Sequence, residues 1–330
     1  MKYKVSKTQL NYFSLFSLGS EDFGYGHYKR IKNLISILKN KKRKFIHYSY
    51  GEKIKKKIFF LDRLDFEVKL GRNIILDITN DLFLDKNTIS IIKKIFTKKE
   101  LGKIFIIDAP TKKNLSTILD LEHIKTLVPF QITEDVKKKL LKIKNKKFGI
   151  EYFIYSNSNL KRQKKIYDIA LSFGGSDNYK GTLHVLKLLD AIKVKKKILV
   201  VNGKYFKESY KKKIFSICKK NKFEVISFSK NFSSILNKSK LLITNSGLTK
   251  YEGIIHGLKI IVFSDTKESQ KIDEFFLRKT KQYCFPYLKN FKNDKLKLNK
   301  ILKRQLRYKK LDKNNLSSNI NNIINFFEND

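Results

Sequence analysis

Short runs of consecutive apolar residues alternate with amphipathic segments along most of this chain. The apolar runs predict strands at 12–18, 44–48, 74–78, 103–107, 166–173, 197–202, 223–228, 241–243 and 260–263. The segments between them predict helices at 27–39, 86–96, 136–142, 179–193, 209–221, 232–238, 248–256 and 270–279. Because the strands are continuously apolar, we expect parallel sheets that are covered on both faces.

The alternation restarts near residue 166, after a polar and basic stretch at 156–165. A chain of 330 residues is long enough for two domains. We therefore predict an α/β protein with two doubly wound, Rossmann-like domains, at 1–155 and 165–330. The tail at 290–330 is assigned to the second domain and ends in an amphipathic helix near 318–327. In such folds ligands bind at the carboxyl ends of the strands, and we expect a cleft between the two domains.

Composition narrows the class of protein. Hydrophobic residues make up 41% of the chain, which supports a packed core. No apolar run approaches the roughly 20 residues of a membrane span, and the N-terminal residues predict no secretory signal. The two cysteines, Cys218 and Cys284, have neither metal-site nor disulfide spacing, so we expect a reducing, cytoplasmic setting.

The formal charge of +43 comes almost entirely from lysine, because only 8 of the 73 basic residues are Arg. Nucleic-acid interfaces depend on Arg for bidentate contacts, so we expect no nucleic-acid partner. The chain is also rich in Ile, Asn, Phe and Tyr, which have A/T-rich codons like Lys. Two interpretations stay open: a solvated lysine surface, or attraction to anions such as a nucleotide, a polyanion or an acidic membrane face.

Three glycine-bearing turns follow predicted strands, at 24–27, 174–177 and 245–249. Glycine allows close backbone approach, and the helix start after such a turn offers free N–H groups to an anion. Each turn alone is equally typical of a plain strand-to-helix connection. None matches a P-loop or a dinucleotide fingerprint, which disfavours a P-loop NTPase and a nicotinamide dehydrogenase.

His27 stands at the predicted start of the first helix, where the positive end of the helix dipole favours a nearby anion and a neutral imidazole. Asp77 and Asp108 end predicted strands and would lie at the rim of the cleft, either in a site or as loop caps. Glu252 follows the third turn and is either a ribose ligand or a surface carboxylate.

The segment from Gly19 to Arg30 resembles the G-S…G-x-G-H-x-x-R signature of the nucleotide-sugar hydrolases of the pseudaminic acid pathway. L-S-F-G-G-S-D at 171–177 is similar to that family's S-F-G-G-S-D turn, and S-G-L-T-K-Y-E at 246–252 to its G-G-S-T-x-x-E segment. E-S-Q at 268–270 stands where the family has E/D-N-Q. The chain departs at Leu248 and Ser269, and Asp77 or Asp108 must replace the family's Asp-x-Tyr.

The resemblance implies a GT-B fold in which the C-terminal domain holds UDP, as it does in related glycosyltransferases. His27 would be the catalytic residue that assists water in attacking the anomeric carbon, with inversion there. Glu252 would hold the ribose, and no metal or cofactor would be needed. The residues implied in substrate binding, besides Glu252, are Gly24, Gly26, Arg30, Gly174, Gly175, Ser176, Ser246, Gly247, Thr249 and Gln270.

The sequence therefore predicts a hydrolase that releases UDP from a UDP-linked diacetamido-trideoxy sugar. Two alternatives stay open. A GT-B glycosyltransferase that passes the sugar to an acceptor fits the two C-terminal motifs equally well. A non-enzymatic polyanion-binding protein is supported by the charge alone.

Overall fold

A computed structural model of the protein describes residues 12–19, 25–51, 73–77, 103–108, 124–156, 163–228, 232–280, 282–287, 289–303 and 320–328. The chain divides into two compact units. The first unit comprises Met1–Ser156 and Leu316–Asp330, and the second comprises Asn157–Asn315. Within the described ranges, no helix has the length and apolar character that crossing a bilayer requires.

Twelve strands and nine α-helices are described. The strands are β1 (Tyr12–Gly19), β2 (Lys44–Gly51), β3 (Asn73–Asp77), β4 (Ile104–Ile107), β5 (Ile124–Val128), β6 (Lys146–Phe148), β7 (Tyr167–Ser172), β8 (Ile198–Val201), β9 (Glu224–Ile226), β10 (Ser239–Asn245), β11 (Lys259–Phe263) and β12 (Tyr283–Phe285). The helices are α1 (Gly26–Asn40), α2 (Glu134–Leu141), α3 (Gly181–Ile192), α4 (Glu208–Asn221), α5 (Phe232–Asn237), α6 (Thr249–Ile255), α7 (Lys267–Thr280), α8 (Phe291–Lys303) and α9 (Ile320–Glu328). A short 3₁₀ turn covers Ile150–Tyr152.

The first unit contains a fully parallel six-stranded sheet in the order β2-β1-β3-β4-β5-β6. The chain winds from β1 to β2 in one direction and from β1 to β3 in the other. The carboxyl ends of β1 and β3 therefore flank a topological switch point, where ligands bind in open α/β sheets. Helix α1 packs on this sheet through Ile31, Leu34, Ile37 and Leu38, whose spacing places them on one helix face.

The second unit contains another fully parallel six-stranded sheet, in the order β12-β11-β10-β7-β8-β9. Its switch point lies between the adjacent strands β7 and β10. Successive side chains of a strand point to opposite faces. On one face, Leu241 and Ile243 join a core that α3, α4 and α8 share. On the other face, Leu242 and Ile260 lie against Gly253 of α6.

The predicted fold class, two doubly wound parallel sheets, is confirmed. Three of the described strands were not predicted from the sequence. β6 and β12 have only three residues each, and β5 carries Lys125 and Thr126 in its centre, although both are buried. β12 is apolar but too short to be recognised as a strand, and β5 and β6 lack a continuous apolar run. These strands form because they pair with their neighbours in the sheet. The predicted helix at 86–96 lies outside the described residues.

The position of the C-terminal helix corrects one part of the domain assignment. The sequence placed the whole tail in the second domain, but α9 belongs to the first unit. Phe326 and Phe327 both pack edge-on against Phe105 of β4, with ring centroids 5.5 and 4.9 Å apart from it. Arg43 also pairs with Glu328 of this helix. The amphipathic pattern predicted a helix with an apolar face, but it did not predict which sheet would bury that face.

We expect Phe327→Ala to destabilise the first unit selectively, because removing a buried phenylalanine ring costs about 3–5 kcal/mol. Hydrogen exchange followed by mass spectrometry checks this: peptides from β4 and α9 should lose protection, while peptides from β7 and β8 keep theirs. Phe275→Ala on α7 is the matched control, since that ring is 45% exposed and its loss should cost less than about 0.5 kcal/mol. Equal loss of protection in both units would contradict the assignment of α9.

Candidate functional site

The switch point of the first sheet brings together residues from β3 and the start of α1. In the β1–β3 register Asp77, the last residue of β3, lies opposite Ser17 near the end of β1. His27 and Arg30 are three residues apart on the first turns of α1, so their side chains share one helix face. Parallel pairing thus places a strand-end carboxylate beside a helix-start histidine and arginine.

Asp77 is the centre of this cluster, and it is completely buried. Arg30 donates to it through a two-pronged contact, with Nε 2.8 Å from Oδ2 and Nη2 2.6 Å from Oδ1. His27 Nδ1 lies 2.7 Å from the same Oδ1. The side chain of His27 is 14% exposed, whereas that of Arg30 is only 6% exposed. The histidine is therefore the member of the cluster nearest to solvent.

The charge of Asp77 fixes the hydrogen-bonding role of His27. Burial opposes ionisation of Asp77, but the charge and hydrogen bonds of Arg30, helped by His27, hold its pKa below the ordinary value. An ionised Asp77 accepts a hydrogen bond from the Nδ1–H of His27, so Nε2 carries the lone pair. Nδ1 also lies 2.8 Å from Arg30 Nη2. His27 Nδ1 and Arg30 Nη2 are then both donors, and both donate to Asp77 Oδ1.

Further contacts hold Arg30 inside the first unit. Its guanidinium carbon lies 5.8 Å from the centroid of the Phe130 ring, a distance at which a cation is attracted to the ring face. Burial lowers the pKa of Arg30, but the charges of Asp77 and Asp108 outweigh this effect and raise it. The guanidinium predicted to bind substrate is therefore occupied by Asp77. Gly26 opens α1, and Gly24 lies outside the described residues.

A second histidine of the first unit escaped the sequence analysis. His47 of β2 lies with Nε2 2.8 Å from the hydroxyl oxygen of Ser17 on β1. Burial and the charge of Lys32 lower the pKa of His47 to about 4. The imidazole is therefore neutral at pH 7. Its ring centroid lies 6.0 Å from that of Tyr28, the residue after His27.

The two glycine turns of the second unit are neighbours, because β7 and β10 pair directly. Asn245 Nδ2 donates across them to the carbonyl oxygen of Phe173, at 3.4 Å. Gly174 has a φ of +76°, a left-handed conformation that favours glycine. A Cβ on Gly203, after β8, would lie 2.3 Å from the carbonyl oxygen of Gly175. The backbone of the turn at 174–177 is therefore closely constrained by the neighbouring residues.

The helix start after the turn at 174–177 is already capped, contrary to the expectation that it offers free N–H groups to an anion. Asp177 accepts hydrogen bonds from the backbone N–H groups of Gly181 and Thr182, at 2.7 and 2.9 Å. The hydroxyl of Tyr210 donates to the same carboxylate at 2.6 Å. An anion at this edge would thus meet the turn 174–176 rather than these two amides of α3.

A buried ion pair supports the turn at 245–249. Asp273 is fully buried and lies 2.5 Å from Lys250 Nζ. It also accepts hydrogen bonds from the hydroxyls of Ser246 and Ser264, at 2.6 and 2.9 Å. Burial lowers the pKa of Lys250, but the neighbouring Tyr251 and Asp273 outweigh this and raise it. The Ser246 hydroxyl proton therefore serves this network rather than pointing to a ligand.

The remaining predicted residues differ in their surroundings. Gly247 is exposed, Thr249 is half-buried and Glu252 is buried on α6. Gln270 uses both ends of its amide, since Nε2 donates to Glu274 at 2.7 Å and Oε1 accepts from the N–H of Tyr287 at 3.2 Å. Gly174, Gly175, Ser176, Gly247 and Thr249 are thus placed on the two adjoining loops or the start of α6 at one edge of the second sheet.

Comparisons with known proteins identify the fold. No family model and no curated protein sequence matches the chain. MurG of Acinetobacter baumannii is 9% identical and superposes with a TM-score of 0.57, covering 95% of this chain and 99% of its own. Arabidopsis thaliana UGT89C1 complexed with UDP-L-rhamnose is 10% identical with a TM-score of 0.54, covering 97% and 95%. UDP-GlcNAc 2-epimerase from Methanocaldococcus jannaschii, complexed with UDP-GlcNAc and UDP, is 12% identical with a TM-score of 0.50, covering 94% and 99%. The chain has the two-domain, Rossmann-like GT-B fold.

We expect Arg30→Gln to destabilise the protein by about 3–5 kcal/mol at pH 7, because it leaves the buried Asp77 carboxylate without its countercharge. In the wild type the depressed pKa of Asp77 stabilises the fold above an unfolded pKa of about 3.9, and this is lost as pH falls. In the variant the pKa of Asp77 rises above the unfolded value. The deficit should therefore shrink between pH 7 and pH 4 in urea unfolding.

Arg43→Gln is the matched control for this experiment, because Arg43 pairs with Glu328 in the same unit while its side chain is 51% exposed. An exposed pair contributes only about 0.2–1 kcal/mol. Deficits of equal size for the two variants, or a deficit for Arg30→Gln that does not change with pH, would overturn the role given to Arg30.

Proposed function

We propose that this protein is a hydrolase that releases UDP from a UDP-sugar by attack of water at the anomeric carbon. The observation that carries the proposal is the contact between Asp77 and Nδ1 of His27, since it leaves Nε2 as a proton acceptor on a partly exposed ring. A positioned histidine of this kind is suited to general base catalysis. Arg30 keeps Asp77 ionised, so it maintains the required tautomer of His27.

The fold and the motifs support the substrate class. Solved structures with the same fold were determined with UDP-L-rhamnose, UDP-GlcNAc or UDP bound. The three motif blocks resemble those of hydrolases that act on a UDP-linked diacetamido-trideoxy sugar. We therefore propose a sugar of that class, and a role in the synthesis of a nonulosonic acid such as pseudaminic acid.

In the proposed reaction, a water oxygen forms a bond to the anomeric carbon while His27 Nε2 takes one of the water protons. The bond between the anomeric carbon and the diphosphate oxygen breaks, and its electron pair leaves with UDP. The products are the free sugar, UDP and one proton. Negative charge grows on the leaving diphosphate, so preorganised backbone N–H donors would lower the barrier.

In the second unit, we propose that the turn residues Gly174, Gly175 and Ser176 contact the diphosphate, together with Gly247 and Thr249. Glu252 would accept hydrogen bonds from the ribose hydroxyls. Ser246 and Gln270 take supporting roles in this proposal, because their side chains are bonded to neighbouring protein groups. Ser246 ties the second turn to Asp273, and Gln270 ties α7 to Tyr287.

A glycosyltransferase could use the same histidine to take a proton from an acceptor hydroxyl instead of water. The decisive experiment incubates the purified protein with a panel of UDP-sugars and no acceptor, and follows free sugar and UDP by mass spectrometry. Release of both products without acceptor or added metal supports the hydrolase. UDP release that requires an added acceptor would replace it with a transferase.

We expect His27→Ala to lower kcat at least about 100-fold, the scale of a lost general base. Asp77→Asn should lower kcat by about 10²–10⁴-fold, because an amide no longer fixes the tautomer of His27. Turnover of the identified UDP-sugar, measured as UDP release over a range of pH, checks both. His184→Gln is the control, since its amide can keep the contact with Asp294 in the second unit. Near-wild-type turnover in His27→Ala would refute the catalytic assignment.

We expect Thr249→Val and Glu252→Gln to weaken UDP binding by about tenfold or more, since each removes a hydrogen bond to a charged or polar ligand group. Isothermal titration calorimetry with UDP measures this, and thermal unfolding shows whether each variant remains folded. His27→Ala should leave the Kd for UDP within about twofold. Wild-type affinity in both second-unit variants would contradict the proposed nucleotide site.

A further inference from the structure

The outer surface of one helix layer in the second unit has an unusual composition. Helix α3 packs between α4 and α8, and all three share the core on one face of the second sheet. Their opposite sides therefore face away from that sheet. We call the surface formed by the exposed residues of α3, α4 and α8 the basic face.

Exposed lysines dominate the basic face, whereas its acidic residues are neutralised locally. Asp190 pairs with Lys220 at 2.9 Å and Glu208 with Lys211 at 2.7 Å. Asp294 is buried against His184. The exposed lysines are Lys187, Lys212, Lys213, Lys219, Lys220, Lys292, Lys297, Lys300 and Lys303. The basic face therefore carries a large positive charge.

Apolar side chains project among these lysines. Phe215 of α4 is 59% exposed and Leu296 of α8 is 63% exposed. Residues three and four positions apart are neighbours on a helix surface. Lys212 and Lys219 therefore flank Phe215, while Lys292 and Lys300 lie one turn before and after Leu296. Each of the two helices presents an exposed apolar side chain between two ammonium groups.

Helix α7, on another part of the same unit, has a different distribution of charge. It also exposes an aromatic side chain, Phe275. Its exposed lysines, Lys267 and Lys271, are balanced by the exposed Glu268 and Glu274. A codon bias toward lysine acts on both surfaces, but lysine is separated from acidic residues on the basic face and not among the described side chains of α7.

We propose that the basic face docks the protein on a lipid bilayer that contains anionic headgroups. Lysines near such a surface are attracted by its negative potential, and shallow insertion of an aromatic or aliphatic side chain supplies a second contribution. Nucleic acid is the poorer match, because α3, α4 and α8 contain no Arg. An aliphatic side chain such as Leu296 also provides no flat surface on which a base could stack. This inference goes beyond the proposed hydrolase and does not depend on it.

The test is sedimentation of the full chain with vesicles of phosphatidylcholine, with or without phosphatidylglycerol. We expect binding only to the vesicles that contain phosphatidylglycerol, weakening as salt screens the charges. Combined Lys212→Gln, Lys219→Gln, Lys292→Gln and Lys300→Gln substitutions should weaken it on the order of 100-fold or more. Combined Phe215→Ala and Leu296→Ala substitutions should weaken it by roughly tenfold.

The matched controls are Lys267→Gln with Lys271→Gln, and Phe275→Ala, on α7. They should bind the vesicles within about twofold of the wild type. The proposal is overturned if the α7 variants lose as much binding as those of the basic face, or if phosphatidylglycerol vesicles bind no protein. Binding to single-stranded RNA that depends on the same four lysines, without vesicle binding, would assign the surface to nucleic acid instead.

Discussion

The buried carboxylate of Asp77 is the constraint on which the first unit's candidate site depends. Removing one ion from water costs several kcal/mol unless a countercharge and hydrogen bonds compensate. Arg30 supplies both through a planar fork that lysine cannot reproduce. In a chain with 73 basic residues of which 8 are Arg, an Arg at this position has a specific geometric reason. The pair also fixes the start of α1 against the end of β3, and His27 gains its orientation from that fixed arrangement.

Parallel sheet topology determines which residues can meet in each unit. In the first sheet β1 and β3 are neighbours, so the residues at their carboxyl ends share an edge. In the second sheet β7 and β10 are neighbours although β8 and β9 come between them in sequence. The turns that follow β7 and β10 are therefore adjacent in space, and Asn245 connects them directly. In both units the chemistry-bearing residues lie at the switch point of the sheet.

Local sequence patterns carried much of the fold but little of the side-chain pairing. Continuous apolar runs predicted nine strands, and the glycine turns marked the loops at both switch points. Asp77 was identified as a strand-end residue, but its partners depend on which strands pair, and no local pattern encodes that order. For the same reason the sequence assigned Ser246 to a ligand site, whereas its hydroxyl donates to Asp273, and the cap that Asp177 provides for α3 was not predicted. Helix caps and internal hydrogen-bond networks use the same residue types as ligand contacts, so the sequence alone does not distinguish these roles.

Carboxylates near the second unit's turns set a condition on any anionic ligand there. The charge of Asp177 faces the amides that start α3, and that of Asp273 is matched by Lys250. Asp265 is different, because burial together with the charges of Asp177 and Asp273 raises its pKa to about 6. Asp265 is nevertheless mostly ionised at pH 7, so its charge would repel a diphosphate unless a cation offsets it. Lys289 offsets that charge: its Nζ donates to the carbonyl oxygen of Tyr179, and its charge interacts favourably with Asp177 and Asp265. A nucleotide at this edge would thus meet carboxylates that the amides of α3, Lys250 and Lys289 already offset.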